Sequence, residues 1–293
     1  MDYDKSNRID LHIHSTYSDG TLTPAKILAM ARDLNLGAIA ITDHDTIDGS
    51  KEALRTGIPS NLKFLTGVEI SALPPRLFSF PGSFHILGYL IRFDDPILNS
   101  TLNKLQQARK TRNPKIIKQL NMLGIDLSLR EVIDESGQCQ LGRPHIARTM
   151  VKKGFVKSIN DAFDKYLGKG KPAYIDKFRV DCSKAIEIIL GAGGVPVLAH
   201  PVLLEIKDDR IFEQLLVTLI EMGLQGLEVY YPEHSAKHIA FYEKLAKQYN
   251  LLMTGGTDFH GSIKPDIKMG TGRGDFFVPC SLYNDLINCC CGQ

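Results

Sequence analysis

Short apolar runs alternate with amphipathic helical segments along most of this chain, and this alternation restricts its fold more than any other feature. The run at 38–42, Ala-Ile-Ala-Ile-Thr, is apolar until its last residue, which is typical of strands buried in parallel sheets. Most runs are followed by a helical pattern, and this repetition predicts an α/β fold with a parallel sheet. The strand candidates are residues 9–14, 38–42, 64–70, 84–91, 195–199, 226–230 and 251–256.

Seven strand candidates favour a closed (β/α)7 barrel over an open doubly wound sheet, which stays the structural alternative. Thr23-Pro24 predicts the start of the first helix, because threonine caps helices well and proline fits their first turn. The loop 73–83 contains three prolines and a glycine, so we expect it to lack regular structure. Together these patterns place the barrel in residues 1–93 and 177–293.

Residues 94–176 interrupt the barrel with a helical insertion. Helical patterns cover the segment without any strand-like run between them, and Asn113-Pro114 predicts a break or kink in the first helix. The predicted helices are residues 97–123, 129–135, 144–153 and 159–167.

The insertion is also basic. Residues 100–184 hold 18 Lys or Arg against 8 Asp or Glu, whereas the rest of the chain holds 17 against 25, giving the net charge of +2. A basic block in an otherwise acidic chain favours an anionic partner, with a solvated helical face as the alternative.

Composition excludes several classes of protein. No run approaches the roughly 20 apolar residues that span a bilayer, and Met1–Lys5 lack the features of a signal peptide, so we expect a soluble cytoplasmic protein. Six cysteines without paired spacing are then expected to be reduced thiols. The run Cys289-Cys290-Cys291 is expected to be a frayed tail, with a soft-metal site as the alternative.

Histidines and carboxylates gather where predicted strands end. His12 and His14 are two residues apart in one strand, so their imidazoles share a face and can reach one metal ion. The carboxyl ends of barrel strands converge on one rim, which is where such enzymes place their active sites. Nitrogen and oxygen ligands suit Mn, Fe, Zn or Mg, and nine of them imply two or three divalent ions. The nine are His12, His14, Asp19, His44, Glu69, His85, His200, Asp258 and His260.

The motifs around these residues resemble those of the polymerase and histidinol phosphatase (PHP) superfamily. The resemblance implies a distorted seven-stranded β/α barrel with a three-metal site, with manganese as the first choice of ion, and it runs from Arg8 to about Gly274. The motifs are His12-Ile13-His14-Ser15, Thr42-Asp43-His44-Asp45, Gly67-Val68-Glu69-Ile70, Ala199-His200-Pro201 and Thr257-Asp258-Phe259-His260.

The resemblance also implies a role for each ligand. Glu69, Asp258 and His200 become the catalytic residues, and hydroxide held between two metals bridged by Glu69 becomes the expected nucleophile for phosphoester hydrolysis. The implied ligands are His12, His14, Glu69 and Asp258 for the first metal, Glu69, His85 and His200 for the second, and Asp19, His44 and His260 for the third. Candidates for orientation or proton delivery are Asp43, Asp45 and His234.

Three segments of the insertion, residues 141–148, 162–167 and 168–174, are similar to the stand-alone PHP nucleotide phosphatases and 5′→3′ exoribonucleases. That branch implies AMP, 3′,5′-bisphosphonucleotides and the 5′ ends of short RNA as substrates. A histidinol-phosphate-type phosphatase is the alternative enzyme, and a non-catalytic nucleic-acid-binding module is the alternative outside enzymes.

Within the insertion, we expect Arg143, His145 and Arg148 to share one side of a helix start and to bind the anionic substrate. The alternative is that the two arginines form ion pairs with Asp134 or Glu135.

Overall fold

A computed structural model of the chain describes residues 8–136 and 141–291, and residues 136, 290 and 291 are described by their backbone alone. The predictions for Met1–Lys5 and for Cys139 therefore lie outside the described residues. Within them, no helix is long and apolar enough to cross a membrane.

One sheet organises the fold, and its main path runs β1-β2-β3-β4-β6-β7-β8. The short β5 lies off this path and pairs with the end of β3. The strands are β1 (Ile9–Ile13), β2 (Ala38–Ile41), β3 (Lys63–Leu73), β4 (His85–Tyr89), β5 (Val180–Asp181), β6 (Val195–Leu198), β7 (Gly226–Tyr230) and β8 (Leu252–Gly255). The predicted distorted (β/α)7 barrel is confirmed.

The sheet nearly closes on itself between its first and last strands. Ile13 at the end of β1 bridges to Phe259 just beyond β8, and the backbone N–H of His14 donates to the carbonyl of Phe259 at 2.9 Å. A Cβ on Gly256 would collide with the backbone of His12, so glycine allows the chain after β8 to approach β1 this closely.

Helices cover the outside of the barrel and build the insertion. Thr23 caps the first helix as predicted, because its side chain accepts from the backbone N–H of Lys26. The helices are α1 (Pro24–Asp33), α2 (Asp48–Thr56), α3 (Pro96–Met122), α4 (Leu129–Ser136), α5 (Arg143–Lys152), α6 (Ile159–Ala162), α7 (Cys182–Gly191), α8 (Asp209–Glu221), α9 (Ala236–Gln248) and α10 (Ser281–Cys291). A π-helical turn, Phe163–Leu167, follows α6 directly.

Strand β4 departs from the expected parallel arrangement, since it runs antiparallel to both β3 and β6. No helix lies between β3 and β4, and a short connection can return a chain only to an antiparallel neighbour. The reversal places the first residue of β4, His85, at the rim where the parallel strands end.

Helix α3 joins the two parts of the molecule. Leu98, Leu102 and Leu105 in its first half pack into the barrel core, whereas Ile116 and Leu120 in its second half pack into the core of the insertion.

The helix runs without interruption through Pro114, so a break at this position is wrong, whereas a kink there stays a prediction. Arg112, Asn113, Ile116 and Ile117 are buried on both sides of the proline. This packing outweighs the one hydrogen bond that proline cannot donate.

The C-terminal segment is helical, and the expectation of a frayed tail is wrong for its backbone. Leu282 and Leu286 on α10 are buried against the barrel core, and the helix extends to Cys291. Among the described cysteine side chains, Cys182, Cys280 and Cys289 are free thiols, as predicted.

Candidate metal centre

All nine predicted ligands meet at the carboxyl rim of the barrel. His12 lies on β1 and His14 follows that strand, and both side chains are fully buried. His200 follows β6, while Asp258 and His260 lie in the segment after β8. Each of the nine side chains has a nitrogen or oxygen within 3.4 Å of another member of the set.

Glu69 lies at the middle of this group. Its Oε1 is 2.7 Å from Nδ1 of His85 and 2.9 Å from Nε2 of His200. Its Oε2 is 2.9 Å from Nδ1 of His44 and 3.2 Å from Nε2 of His14. Strand β3 continues to Leu73 beyond this residue, so Glu69 faces the site from within the strand and not from its end. Five imidazoles surround the carboxylate, from His12, His14, His44, His85 and His200.

The cluster contains three overlapping groups of possible metal ligands. Within each group, the ligand atoms all lie within 4.8 Å of one another, which is close enough to share an ion. The groups share members, because His14 and His44 each belong to two of them and Glu69 links the second to the third. They are His14, Asp19, His44 and His260; His12, His14 and Glu69; and His44, Glu69 and His85.

Several buried atoms of this cluster lack a hydrogen-bond partner among the described residues. They include Nε2 of His12, Nε2 of His14, Oε2 of Glu69 and Oδ1 of Asp19. Buried polar atoms in proteins are almost always paired, and these atoms point at one another. Divalent cations between them would satisfy the nitrogen lone pairs and carboxylate oxygens together, so the residues fit a metal centre of more than one ion.

The electrostatics of the cluster agree with this fit. Burial lowers the pKa of His85 to about 3 and that of His260 to about 4, so both rings are neutral at pH 7 and offer a lone pair. Burial also opposes protonation of His14, but the carboxylates of Asp258 and Glu69 outweigh it and raise the pKa of this ring to about 9. The negative charge of these carboxylates therefore favours a bound cation beside His14.

Glu228, a fully buried residue of β7 that the sequence reasoning missed, supports two of the ligands. Its Oε1 lies 2.9 Å from Nδ1 of His12, and its Oε2 accepts from the backbone N–H of His200 at 2.6 Å. These contacts leave Nε2 of His12 directed at the cluster. The signal was present in the sequence, since Glu228 is the charged residue of an otherwise apolar strand.

The three candidates for orientation or proton delivery occupy different places. Asp43 accepts from the hydroxyls of Ser15 and Ser18, both at 2.6 Å, and so fixes the loop after β1 that carries His14. Asp45 accepts from the hydroxyl of Ser71 at 3.0 Å and forms an ion pair with Arg109 of the insertion.

His234 donates from Nδ1 to the carbonyl of Val229 at 2.7 Å, and its ring lies beside Tyr231. The Tyr231 hydroxyl donates to Oδ2 of Asp258 at 3.1 Å, so Tyr231 lies between the His234 ring and the cluster.

A cleft of about 540 Å³ opens onto the cluster. The rim of the barrel, including Glu69 and His200, forms one part of its wall. The insertion and the residues that follow it in sequence form another part. The cations of that second part are Arg109, Arg112, Arg143, Lys169, Lys177 and Arg179.

The structure separates the three residues predicted to bind substrate. Arg143 lines the cleft, and its Nη1 donates to the carbonyl of Leu167 at 2.9 Å. His145 is buried, and its Nδ1 accepts from the backbone N–H of Gly142 at the start of α5.

Arg148 pairs with Glu135 at 2.9 Å, so the alternative arrangement is the one observed for this arginine. Among the described residues, the lining of the cleft includes neither His145 nor Arg148.

The sequence did not identify the other cations of this wall, which are Arg109, Arg112, Lys169, Lys177 and Arg179. They lie within the basic block that the charge count had identified. The spacing of these residues in the sequence could not show that their side chains face one cleft. That arrangement depends on how α3 and the segment after the insertion pack against the barrel.

Known proteins with similar sequences include phosphatases and ribonucleases. The chain is 33% identical to a 3′,5′-nucleoside bisphosphate phosphatase of Chromobacterium violaceum over 256 residues, which cover 86% of this chain and 87% of the relative. It is 31% identical to the 5′-3′ exoribonuclease Rnm of Escherichia coli over 255 residues, which cover 86% of this chain and 84% of the relative.

Among solved structures, a Bifidobacterium adolescentis protein proposed to be a metal-dependent phosphoesterase superimposes with a TM-score of 0.83 at 28% identity. The match covers 97% of this chain and 98% of that one. Residues 10–192 match the PHP domain, which spans more than half of the sequence. The chain belongs to the PHP domain family of metal-dependent phosphoesterases.

Proposed function

We propose that this protein hydrolyses the phosphomonoesters of nucleotides, namely AMP and 3′,5′-bisphosphonucleotides, and shortens short RNA from its 5′ end. One observation carries the proposal: a single cleft combines the histidine–carboxylate cluster with seven Lys or Arg residues. A phosphate ester carries negative charge that both halves of such a cleft attract. Its volume of about 540 Å³ lies within the range typical of small-molecule sites.

Divalent metal ions complete the site in this proposal, with manganese as the first choice. Bound metal supplies Lewis acidity and lowers the pKa of coordinated water so that a nucleophile exists near neutral pH. We assign His12, His14, Glu69 and Asp258 to one ion; Glu69, His85 and His200 to another; and Asp19, His44 and His260 to a third. The catalytic residues are then Glu69, Asp258 and His200.

Side chains of the chain itself hold this arrangement rigid. Glu228 fixes His12 and His200, and Asp43 fixes the loop of His14. Lys264 contacts Oδ2 of Asp258 at 2.6 Å and also lines the cleft, which brings one more positive charge to the position where phosphate would bind.

Arg143 is held at the cleft wall in a fixed orientation. Its guanidinium lies 5.5 Å from the ring centre of Phe163 and 5.3 Å from that of Tyr174. Two aromatic neighbours and the bond to Leu167 restrict the side chain, so less entropy is lost when it binds an anion. Among the three substrate-binding candidates, this placement supports Arg143.

The relatives support nucleotides as the substrate class. One is named for a nucleoside bisphosphate and another for RNA, and both match along most of the chain. Such substrates are handled in the cytoplasm, which is the compartment we expect for this protein.

Phosphate release in the presence of Mn²⁺ tests the proposal directly. The substrates are AMP, 3′,5′-bisphosphoadenosine, a 5′-phosphorylated RNA pentamer and histidinol phosphate. Turnover of the nucleotides or stepwise shortening of the pentamer is expected. If only histidinol phosphate is hydrolysed by metal-loaded protein, the nucleotide assignment is wrong, and a loaded protein inactive on all four contradicts the proposal.

A further inference from the structure

The long helix α3 carries positive charge along most of its length and contains no acidic residue. Its 27 residues include six Lys or Arg and no Asp or Glu. Several exposed cations elsewhere in the insertion pair with carboxylates of neighbouring elements. Lys153 pairs with Glu131 at 2.6 Å, and Lys165 pairs with Asp161 at 2.8 Å. The positive charge of α3 therefore stands out from that of the other insertion helices.

Four of the six cations recur at every third residue and form one row on the helix. They are Arg109, Arg112, Lys115 and Lys118. Side chains three residues apart are neighbours on a helix surface, with Cβ atoms about 5–6 Å apart. Three residues fall about 60° short of a full turn, so the row winds around the helix while it advances about 14 Å along the axis. Its two ends consequently face different surroundings.

The first half of the row belongs to the cleft and the second half to the surface. Arg109 and Arg112 are buried and line the cleft, where Arg109 pairs with Asp45. Lys115 and Lys118 are exposed, and neither ammonium group has an ion pair or hydrogen bond within residues 8–136 and 141–291. The row therefore leads from the wall of the cleft to a pair of free positive charges outside it.

This course fits a polyanion that begins in the cleft and continues outside it. RNA that is shortened from its 5′ end is such a partner, because its first nucleotide lies at the metal centre and the rest of the strand must leave over the cleft wall. Lysines bind backbone phosphates by releasing counterions from the nucleic acid, without selecting a base sequence. A protein or lipid partner of this helix face would not require the row to continue into the cleft.

We propose that Lys115 and Lys118 bind backbone phosphates of an RNA strand where it leaves the cleft, downstream of the nucleotide at the metal centre. This inference rests on the proposed shortening of RNA and refines it. Because a mononucleotide has no phosphate outside the cleft, the two lysines favour strands of several nucleotides over AMP.

The test compares two double variants that remove the same charge from exposed positions of one helix. The row variant combines Lys115→Gln with Lys118→Gln, and the control combines Lys104→Gln with Lys110→Gln, whose side chains lie outside the row. Binding of 5′-phosphorylated RNA with a 3′ fluorescein label, a decamer or a dinucleotide, is measured by fluorescence anisotropy over a range of KCl concentrations. EDTA prevents metal-dependent hydrolysis in these titrations. Values of kcat/KM for AMP and for the decamer are measured separately with Mn²⁺.

The parent protein should bind the decamer more tightly than the dinucleotide. Each phosphate contact on a single strand contributes about 0.7 to the slope of log K against log salt, so the row variant should lower this slope by about 1.4. Its affinity for the decamer should fall about tenfold or more at low salt. The control should keep the slope and affinity of the parent, and both variants should keep its kcat/KM for AMP.

An equal loss of decamer binding in the two variants would overturn the inference, because it would reflect net charge and not the row. A parent protein that binds the decamer no more tightly than the dinucleotide would also overturn it. Failure of the proposed function is recognised separately, by Mn²⁺-loaded protein that hydrolyses neither AMP nor the decamer. A loss of decamer binding confined to the row variant would then still support the row as an RNA-binding surface.

Discussion

The barrel rim and the insertion bring charge to the same cleft in opposite ways. At the rim, each ligand follows or lies on a strand, and the polar atoms are buried and directed at a common centre. In the insertion, three arginines have different neighbours. Arg109 pairs with Asp45 at the rim, Arg148 pairs with Glu135, and Arg112 donates to the neutral side chain of Asn113.

The difference shows what fixes a functional side chain. Strand geometry and the convergence of strand ends determine where a rim residue points, so that spacing in the sequence is informative. A helix of the insertion exposes residues in every direction, and only its packing against the barrel decides which of them reach the cleft. We therefore expect substitutions at the rim to abolish chemistry and those in the insertion to change affinity or stability.

The largest effect is expected for Glu69→Gln. The amide keeps the size of the side chain but replaces an acceptor oxygen that faces imidazole nitrogens with a donor, so phosphate release should fall on the order of 10³-fold or more. Rates and bound metal per chain are measured together. Glu187→Gln, on the exposed side of α7, is the control, and a Glu69→Gln protein with unchanged turnover would contradict the role of the rim.

Breaking the link between the two regions should mainly reduce stability. Burial disfavours the Asp45 carboxylate, but Arg109 outweighs this and holds its pKa well below the usual range. Arg109→Met leaves the buried Asp45 carboxylate without its ion-pair partner, and the free energy of unfolding in urea should fall by about 3–5 kcal/mol. Lys110→Met, on the exposed face of α3, should change it little, and an equal change in both variants would show that the pair does not join the regions.

A smaller effect is expected for Glu228→Gln. The variant weakens the contacts to His12 and to the backbone of His200 without removing a proposed ligand, so activity or metal affinity should fall about 10- to 100-fold. Metal titration followed by activity separates the two effects. The exposed Glu221→Gln on α8 is the matched control, and parent-like affinity and rate in Glu228→Gln would exclude a positioning role.

The smallest effect is expected for Arg148→Ala. Its ion pair with Glu135 is part-exposed, so unfolding free energy should change by less than about 1 kcal/mol and kcat/KM by less than about twofold. A large rise in KM for AMP would show that Arg148 contacts the substrate and that its role is not limited to the ion pair with Glu135.

Much of the barrel and its rim could be predicted because the responsible interactions are local. The seven main strands and the nine clustered side chains follow from apolar runs and from residues at or near strand ends. The antiparallel direction of β4 was not predicted, because it depends on the absence of a crossover helix, although this reversal brings His85 to the rim.

What escaped prediction depends on contacts between distant parts of the chain. Helix α3 continues through Pro114 because buried residues on both sides hold it. Glu228 contacts His12 from 216 residues away, a relation that no spacing rule expresses. The cleft positions of Arg112 and Lys177 likewise arise only when the insertion packs on the barrel.

Crystals of the protein with Mn²⁺, examined by anomalous scattering at the manganese edge, test the central claim most directly. Two or three peaks are predicted within the cluster, each coordinated by residues of the nine, with Glu69 contacting two of them. Dissolved crystals should release phosphate from the nucleotide substrates. Crystals of active protein with no anomalous peak among these nine side chains would contradict the account.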